Sequence, residues 1–410
     1  YKKSAEMIFT VGLILLVLVT SEFFLQLVIR YLRKDFQWLI TEKDENPDFD
    51  KVAFNKFIHN SFDKELGWVR RPNTSGVEQG KHGDITYHID DKGSRENSVG
   101  LETSVVTFGD SYTFCRQVED CQTWQVSLSE RIDSKVLNFG VGNYGVDQAF
   151  LYYQRQTIPK TTKIVILGFV PETICRIQSY WKHYLEFGNI FAFKPKFTLE
   201  NRQLKQHNNL VGGLEDLYNL DQIIESAKNN DEFYEKKFRM LQFRFPYLLR
   251  YFLNFKRNSA LLYLLIKKKL FGVFNMNNIE VENAPFSMIM QNNIKYSHEM
   301  YQNRKACDLL EAILIKFCDL AYERGHKPLL LVMPQLTDIK IINKHGHTPY
   351  DAFFSEMNNK IPVLDVTSYL KSTDVESLYT EDLYGGHFSE LGNKLVADKV
   401  YDYLHRAAFL

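Results

Sequence analysis

This chain has no charge imbalance: its 410 residues include 50 basic and 50 acidic side chains, for a formal net charge of zero. No global field therefore draws it to nucleic acid. Zinc-finger spacing, a P-loop and an RNA-binding signature are also missing, so no metal or nucleotide cofactor is expected. Cysteine is sparse. Cys307 and Cys318 fall eleven residues apart in one predicted helix, about 16 Å along its axis, too far to bridge. Cys115 and Cys121 could close a loop, and with Cys175 left over the redox compartment stays open. No internal repeat is evident. Against these absences, 45% of residues are hydrophobic and 24% charged, which excludes disorder and predicts a packed chain. The length suits one core carrying a large insertion.

The amino terminus holds the one long apolar run. Met7 to Ile29 is a 23-residue stretch interrupted only by Glu22, and as a helix it would span about 34 Å. No small-x-small cleavage site ends it, so a retained membrane anchor over 1–34 is expected in preference to a signal peptide. Lys2 and Lys3 precede the run and Arg30, Arg33 and Lys34 follow it, so charge does not set topology. Glu22 would be costly facing lipid. Either it reaches the interface near the helix end, or it touches a partner helix.

Beyond the anchor, residues 35–65 are polar and aromatic without a clear period and read as a stalk or collar. Gly67, Pro72, Asn73, Gly76, Gly80, Gly83 and Gly93 punctuate β-prone pieces, which predicts hairpins up to residue 100. The pattern then alternates: strands at 104–108, 135–139 and 164–167, with helices at about 123–132 and 147–157. Such alternation predicts a parallel sheet in a three-layer α/β/α architecture. It breaks over 176–298, an insertion expected to be mostly helical. It resumes with a helix from about 300 to 324, strands at 329–333 and 361–366, and a last helix at 389–405. The core is thus split into 101–175 and 299–410. Within the insertion, Phe233 to Phe274 combines an aromatic-rich sequence with ten basic residues, and acids are scarce after Glu235. Two readings stay open for it: a surface lying on lipid or on a membrane partner protein, and a helical subdomain packed on its own core.

The chemistry sits at the two ends of this core. Residues 107–114 read Thr-Phe-Gly-Asp-Ser-Tyr-Thr-Phe, placing Ser111 where a short strand turns and its hydroxyl can face a cleft. Far along the chain, Asp382 and His387 lie in Asp-Leu-Tyr-Gly-Gly-His-Phe-Ser-Glu-Leu-Gly-Asn. A serine, a histidine and an acid on separate loops are the minimum set for acyl transfer by nucleophilic catalysis. His345 and His347 read as a loop pair without matched metal ligands. Arg176, Trp181 and His183 are candidates either for a substrate cleft or for packing.

The order of these blocks resembles the SGNH (GDSL-type) hydrolase superfamily, and in particular its membrane-anchored bacterial members linked to polysaccharide O-acylation. Gly109-Asp110-Ser111 matches the first block and Val136 to Gly145 the second. His387 followed by Phe388-Ser389-Glu390-Leu391-Gly392-Asn393 matches the last. The resemblance implies a flavodoxin-like sheet, an acyl-serine on Ser111, and His387 as base with Asp382 orienting it. It also implies a glycan or small-ester substrate and a globular part on the periplasmic side. The oxyanion would be met by the N–H of Ser111 and one from the Gly142-Asn143 turn, while Asp110 organises the nucleophile turn. Three departures stand out. Asn143 replaces a glycine, and Tyr384 stands at the usual acid position. The third block reads Gly168-Phe169-Val170-Pro171-Glu172-Thr173 without its asparagine, leaving Thr173 or Arg176 as the substitute donor. A catalytically impaired scaffold subunit of a membrane complex is the competing expectation.

Overall fold

The computed structural model describes residues 2–274, 276, 278–371, 374–380 and 386–410. Five strands build the central sheet: β1 (Thr103–Gly109), β2 (Lys135–Gly140), β3 (Ile164–Phe169), β4 (Lys327–Val332) and β5 (Val363–Asp365). All neighbours pair in parallel, in the order β2-β1-β3-β4-β5. This is the flavodoxin-like 2-1-3-4-5 arrangement, in which the strand order reverses beside the first strand.

The strands are apolar on both faces because both faces are covered. Val106, Phe108, Leu137, Phe139, Val165 and Leu167 pack on one side against α4 (Val146–Arg155) and α8 (Arg304–Glu323). Val105, Val136, Ile164, Ile166 and Leu331 point the other way, onto α3 (Trp124–Ile132) and α10 (Glu390–Arg406). The alternation follows from the two-residue period of a strand. Thr123 caps α3 through Val126 N–H, and Ser389 caps α10 through Gly392 N–H.

Between the two halves of the sheet, the 176–298 segment contributes a hairpin (Lys196–Glu200 with Gln203–His207) and then helices. Three of these are α5 (Tyr247–Leu253), α6 (Phe255–Val273) and α7 (Ile279–Met300). The expected single helix at 300–324 starts later. Asn303 caps Arg304–Glu323 through Ala306 N–H and separates it from α7, an N-cap that outranks the apolar period running across it.

The anchor candidate forms α1 (Lys2–Arg33), a helix long and apolar enough to cross a membrane. The following 35–65 segment, expected as a stalk or collar, packs part of its side chains against the rest of the chain. Phe36, Leu39, Ile40, Phe54 and Phe62 are all buried. The aromatics without a period are there because they pack against several elements rather than along one face.

Candidate active site

Strand β1 ends at Gly109, and the chain turns at once into the one-turn helix α2 (Ser111–Phe114). The turn is tight. A Cβ at Gly109 would meet the Gly168 carbonyl oxygen at 1.9 Å, and one at Gly140 would meet Phe114 N at 2.2 Å. Asp110 fixes the turn by accepting from Tyr112 N–H and from Val170 N–H, each at 2.9 Å. With both oxygens engaged in this way, Asp110 is a brace and not a base. Ser111 is thereby held at the carboxyl edge of the sheet, beside the point where strand order reverses, the place where open α/β sheets bind ligands.

His387 arrives from the other end of the chain, on the loop that leads into α10. Thr380 N–H donates to the His387 carbonyl at 2.8 Å and Ser389 N–H to the Leu378 carbonyl at 2.9 Å. The Tyr112 hydroxyl donates to the Gly386 carbonyl at 2.5 Å. So supported, His387 Nε2 lies 2.9 Å from Ser111 Oγ, within the range needed for proton transfer. Its Nδ1 lies 3.1 Å from Gln117 Oε1. The Gln117 amide is itself oriented, since Nε2 donates to the Gln79 carbonyl at 3.0 Å and Oε1 accepts from the Thr380 hydroxyl at 2.9 Å. An amide oxygen can only accept, so it favours the tautomer with hydrogen on Nδ1. That leaves Nε2 free to take the serine proton. Asp382, Glu381 and Tyr384 lie outside the described residues.

Both groups open into a cleft of about 210 Å³, walled by Arg116, Asn143, Arg176, Phe187 and Phe286 among others. Asn143 takes φ +70°, the left-handed region that glycine and asparagine enter most readily. An asparagine therefore fits here a backbone shape that a glycine would also adopt. Among the described residues, the N–H groups of Ser111, Gly142 and Asn143 meet no hydrogen-bond acceptor. Gly142 has open space around it.

The third-block position is a buried ion pair. Glu172 Oε2 holds Arg176 Nη2 at 2.9 Å, and Arg176 Nη1 reaches the Tyr144 carbonyl at 3.1 Å and Asp110 at 3.5 Å. Burial pushes the Glu172 carboxyl up, with Arg176 opposing it. Burial also acts against the guanidinium, but Glu172, Glu186 and Asp110 hold Arg176 above its ordinary value. Arg176 therefore brings a fixed positive charge to the cleft wall. Thr173 is buried and is not among the residues that line the cleft; its hydroxyl accepts from Val146 N–H at 2.9 Å.

Of the other candidates, Trp181 and His183 belong to the packing. Trp181 stacks on Phe193, and His183 Nε2 donates to the Asp44 carbonyl at 3.0 Å while Nδ1 accepts from Gly188 N–H at 3.3 Å. His345 ends α9 (Leu336–His345), with Gly346 as its left-handed cap. All five cysteines are free thiols. Gln117 was not legible as functional from the sequence. Its only signal there is its position, six residues after the nucleophile.

The chain is a three-layer α/β/α protein with a flavodoxin-like 2-1-3-4-5 parallel sheet, a serine where the strand order reverses and a histidine delivered to it by the loop before the last helix. No family model matches the chain, and no curated protein matches it. Among solved structures, the chain is similar to a protein of the G-D-S-L lipolytic family from Desulfitobacterium hafniense DCB-2. The identity is 12% and the TM-score 0.33, over 74% of this chain and 100% of that one. The fold assignment rests on strand order and on the position of Ser111.

Proposed function

We propose that the chain is an SGNH-type serine esterase or O-acyltransferase, anchored in a membrane by α1 and acting on a cell-envelope glycan from the periplasmic side. The supporting observation is the 2.9 Å contact between Ser111 Oγ and His387 Nε2. In the acylation step, Ser111 Oγ attacks an ester carbonyl as its proton passes to His387 Nε2. The tetrahedral oxyanion is met by the N–H groups of Ser111 and the Gly142-Asn143 turn, with Arg176 contributing charge from the wall. Collapse breaks the ester C–O bond, and the imidazolium returns the proton to the departing alkoxide. A water or a glycan hydroxyl then attacks the acyl-serine, with His387 again as base. Exclusion of water decides between hydrolysis and transfer. Asp382 is assigned as the acid that orients His387 jointly with Gln117.

Glu172 supports a second reading. A carboxyl on the cleft wall is unfavourable to an oxyanion. That would suit a scaffold subunit of a membrane complex. One experiment separates the two. Wild type should be labelled by a fluorophosphonate and release acetate from a chromogenic ester, with Ser111→Ala lowering the rate by on the order of 10³-fold. Equal behaviour of the two proteins in both assays would favour the scaffold.

A further inference from the structure

The anchor helix changes character part-way. Residues 3–20 are exposed on every side, and packing against the rest of the chain begins at Ser21. Eighteen bare residues extend about 27 Å, close to the roughly 30 Å hydrocarbon thickness of a bilayer. Glu22 marks the end of this bare length. Its carboxylate accepts from the N–H groups of Tyr247 and Leu248, the latter at 2.8 Å, and so caps α5. Glu22 thus contacts a helix of its own chain.

Helix α6 joins the end of α1 in one apolar cluster. Leu261, Leu262 and Leu265 are buried with Ile29, Leu32 and Phe36. A neighbouring stripe of α6, Phe255, Tyr263, Ile266, Leu270 and Val273, is apolar and exposed. On α5, Leu249, Phe252 and Leu253 continue it. A solvated helix would carry polar residues there. Along the sequence the charge here is of one sign: between Glu235 and Glu280 there are ten basic residues and no acid, and of these Arg239, Lys268 and Lys269 pair with Glu235, Glu282 and Asp35. Arg250 sits in the field of Arg244 and Arg239. The Nε atoms of Arg244 and Arg250 are buried without a hydrogen-bond partner among the described residues.

We propose that the outer face of α5 and α6 lies in the headgroup layer of an anionic phospholipid bilayer, beside the emerging anchor, with Arg244 and Arg250 taking lipid phosphate. The apolar stripe supplies area for burial in the acyl boundary, and the cations supply attraction to anionic headgroups. Glu22 fixes α5 at the level where the bare anchor ends. The inference stands whether or not Ser111 turns over substrate.

The test uses the full chain, with Cys121→Ser to remove the exposed native thiol. An environment-sensitive fluorophore is attached at Leu253→Cys, at Ile266→Cys or at Leu101→Cys, a fully exposed site distant in sequence. Each protein is placed in nanodiscs of phosphatidylcholine, with or without phosphatidylglycerol, containing brominated acyl chains. Positions 253 and 266 should show blue-shifted emission and about threefold more quenching than position 101. Arg244→Gln with Arg250→Gln should remove the extra quenching caused by phosphatidylglycerol. Probes at 253 and 266 open to aqueous iodide and unquenched by lipid would overturn the proposal. So would shielding that develops only when another membrane protein is added. Fluorophosphonate labelling of Ser111 in the same samples reports separately on the proposed catalysis.

Discussion

At the residue scale, the candidate site depends on two different kinds of fit. The first is hydrogen-bond direction. Gln117 presents only an acceptor to His387 Nδ1, so Gln117→Leu should lower kcat about tenfold with KM little changed, because tautomer control is lost. Gln117→Glu should restore part of that rate and move the acid limb of the pH–rate profile upward, since a carboxylate favours imidazolium. A purely structural role would leave the profile in place. The second fit is steric. Gly140→Ala puts a methyl 2.2 Å from Phe114 N, backbone that cannot give way without moving the nucleophile turn. We expect a loss of about 1–3 kcal/mol in denaturant unfolding together with reduced labelling of Ser111. An unchanged midpoint would show that α2 tolerates displacement.

At the scale of elements, His183 clasps the segment after the anchor to the loop bordering the cleft. Both its nitrogens are used in the neutral form, and burial pushes its pKa down to about 4 from 6.5. Between these values the unfolded chain binds more protons than the folded one, so stability is fully present above about 6.5 and falls as pH drops toward 4. The shift corresponds to on the order of 3 kcal/mol. His183→Gln should flatten that slope in urea titrations at pH 4.5, 5.5 and 7, and a slope identical to wild type would exclude His183 as its source. The Glu22 cap on α5 is a second joint of this kind. Glu22→Ala removes both accepted bonds and should cost about 0.5–2 kcal/mol, read as faster amide exchange at Tyr247 and Leu248.

At the scale of the whole molecule, α1 is two structures in one helix. Deleting residues 2–20 removes no packed contact, so the shortened chain should keep its melting temperature within about 3 °C in detergent. Deletion through residue 39 removes Ile29, Leu32, Phe36 and Leu39 from their cluster, side chains worth about 1.5–3 kcal/mol each, and should strip α5 and α6 of their support. Equal melting of the two truncations would show that the insertion folds without the anchor.

The sequence by itself determined the parallel sheet, the α/β/α layering and the Gly-Asp-Ser turn, because strand and helix periods and glycine-dependent turns are local properties. The apolar run of α1 was legible for the same reason. Only the tertiary structure decided that Thr173 does not line the cleft, that Gln117 faces His387 and that Phe36, Leu39, Ile40, Phe54 and Phe62 are buried. It alone decided that Glu22 finds its partner about 225 residues away in the same chain. Each of these depends on which surfaces meet across long loops, and one-dimensional spacing does not encode side-chain direction between elements that touch only after folding.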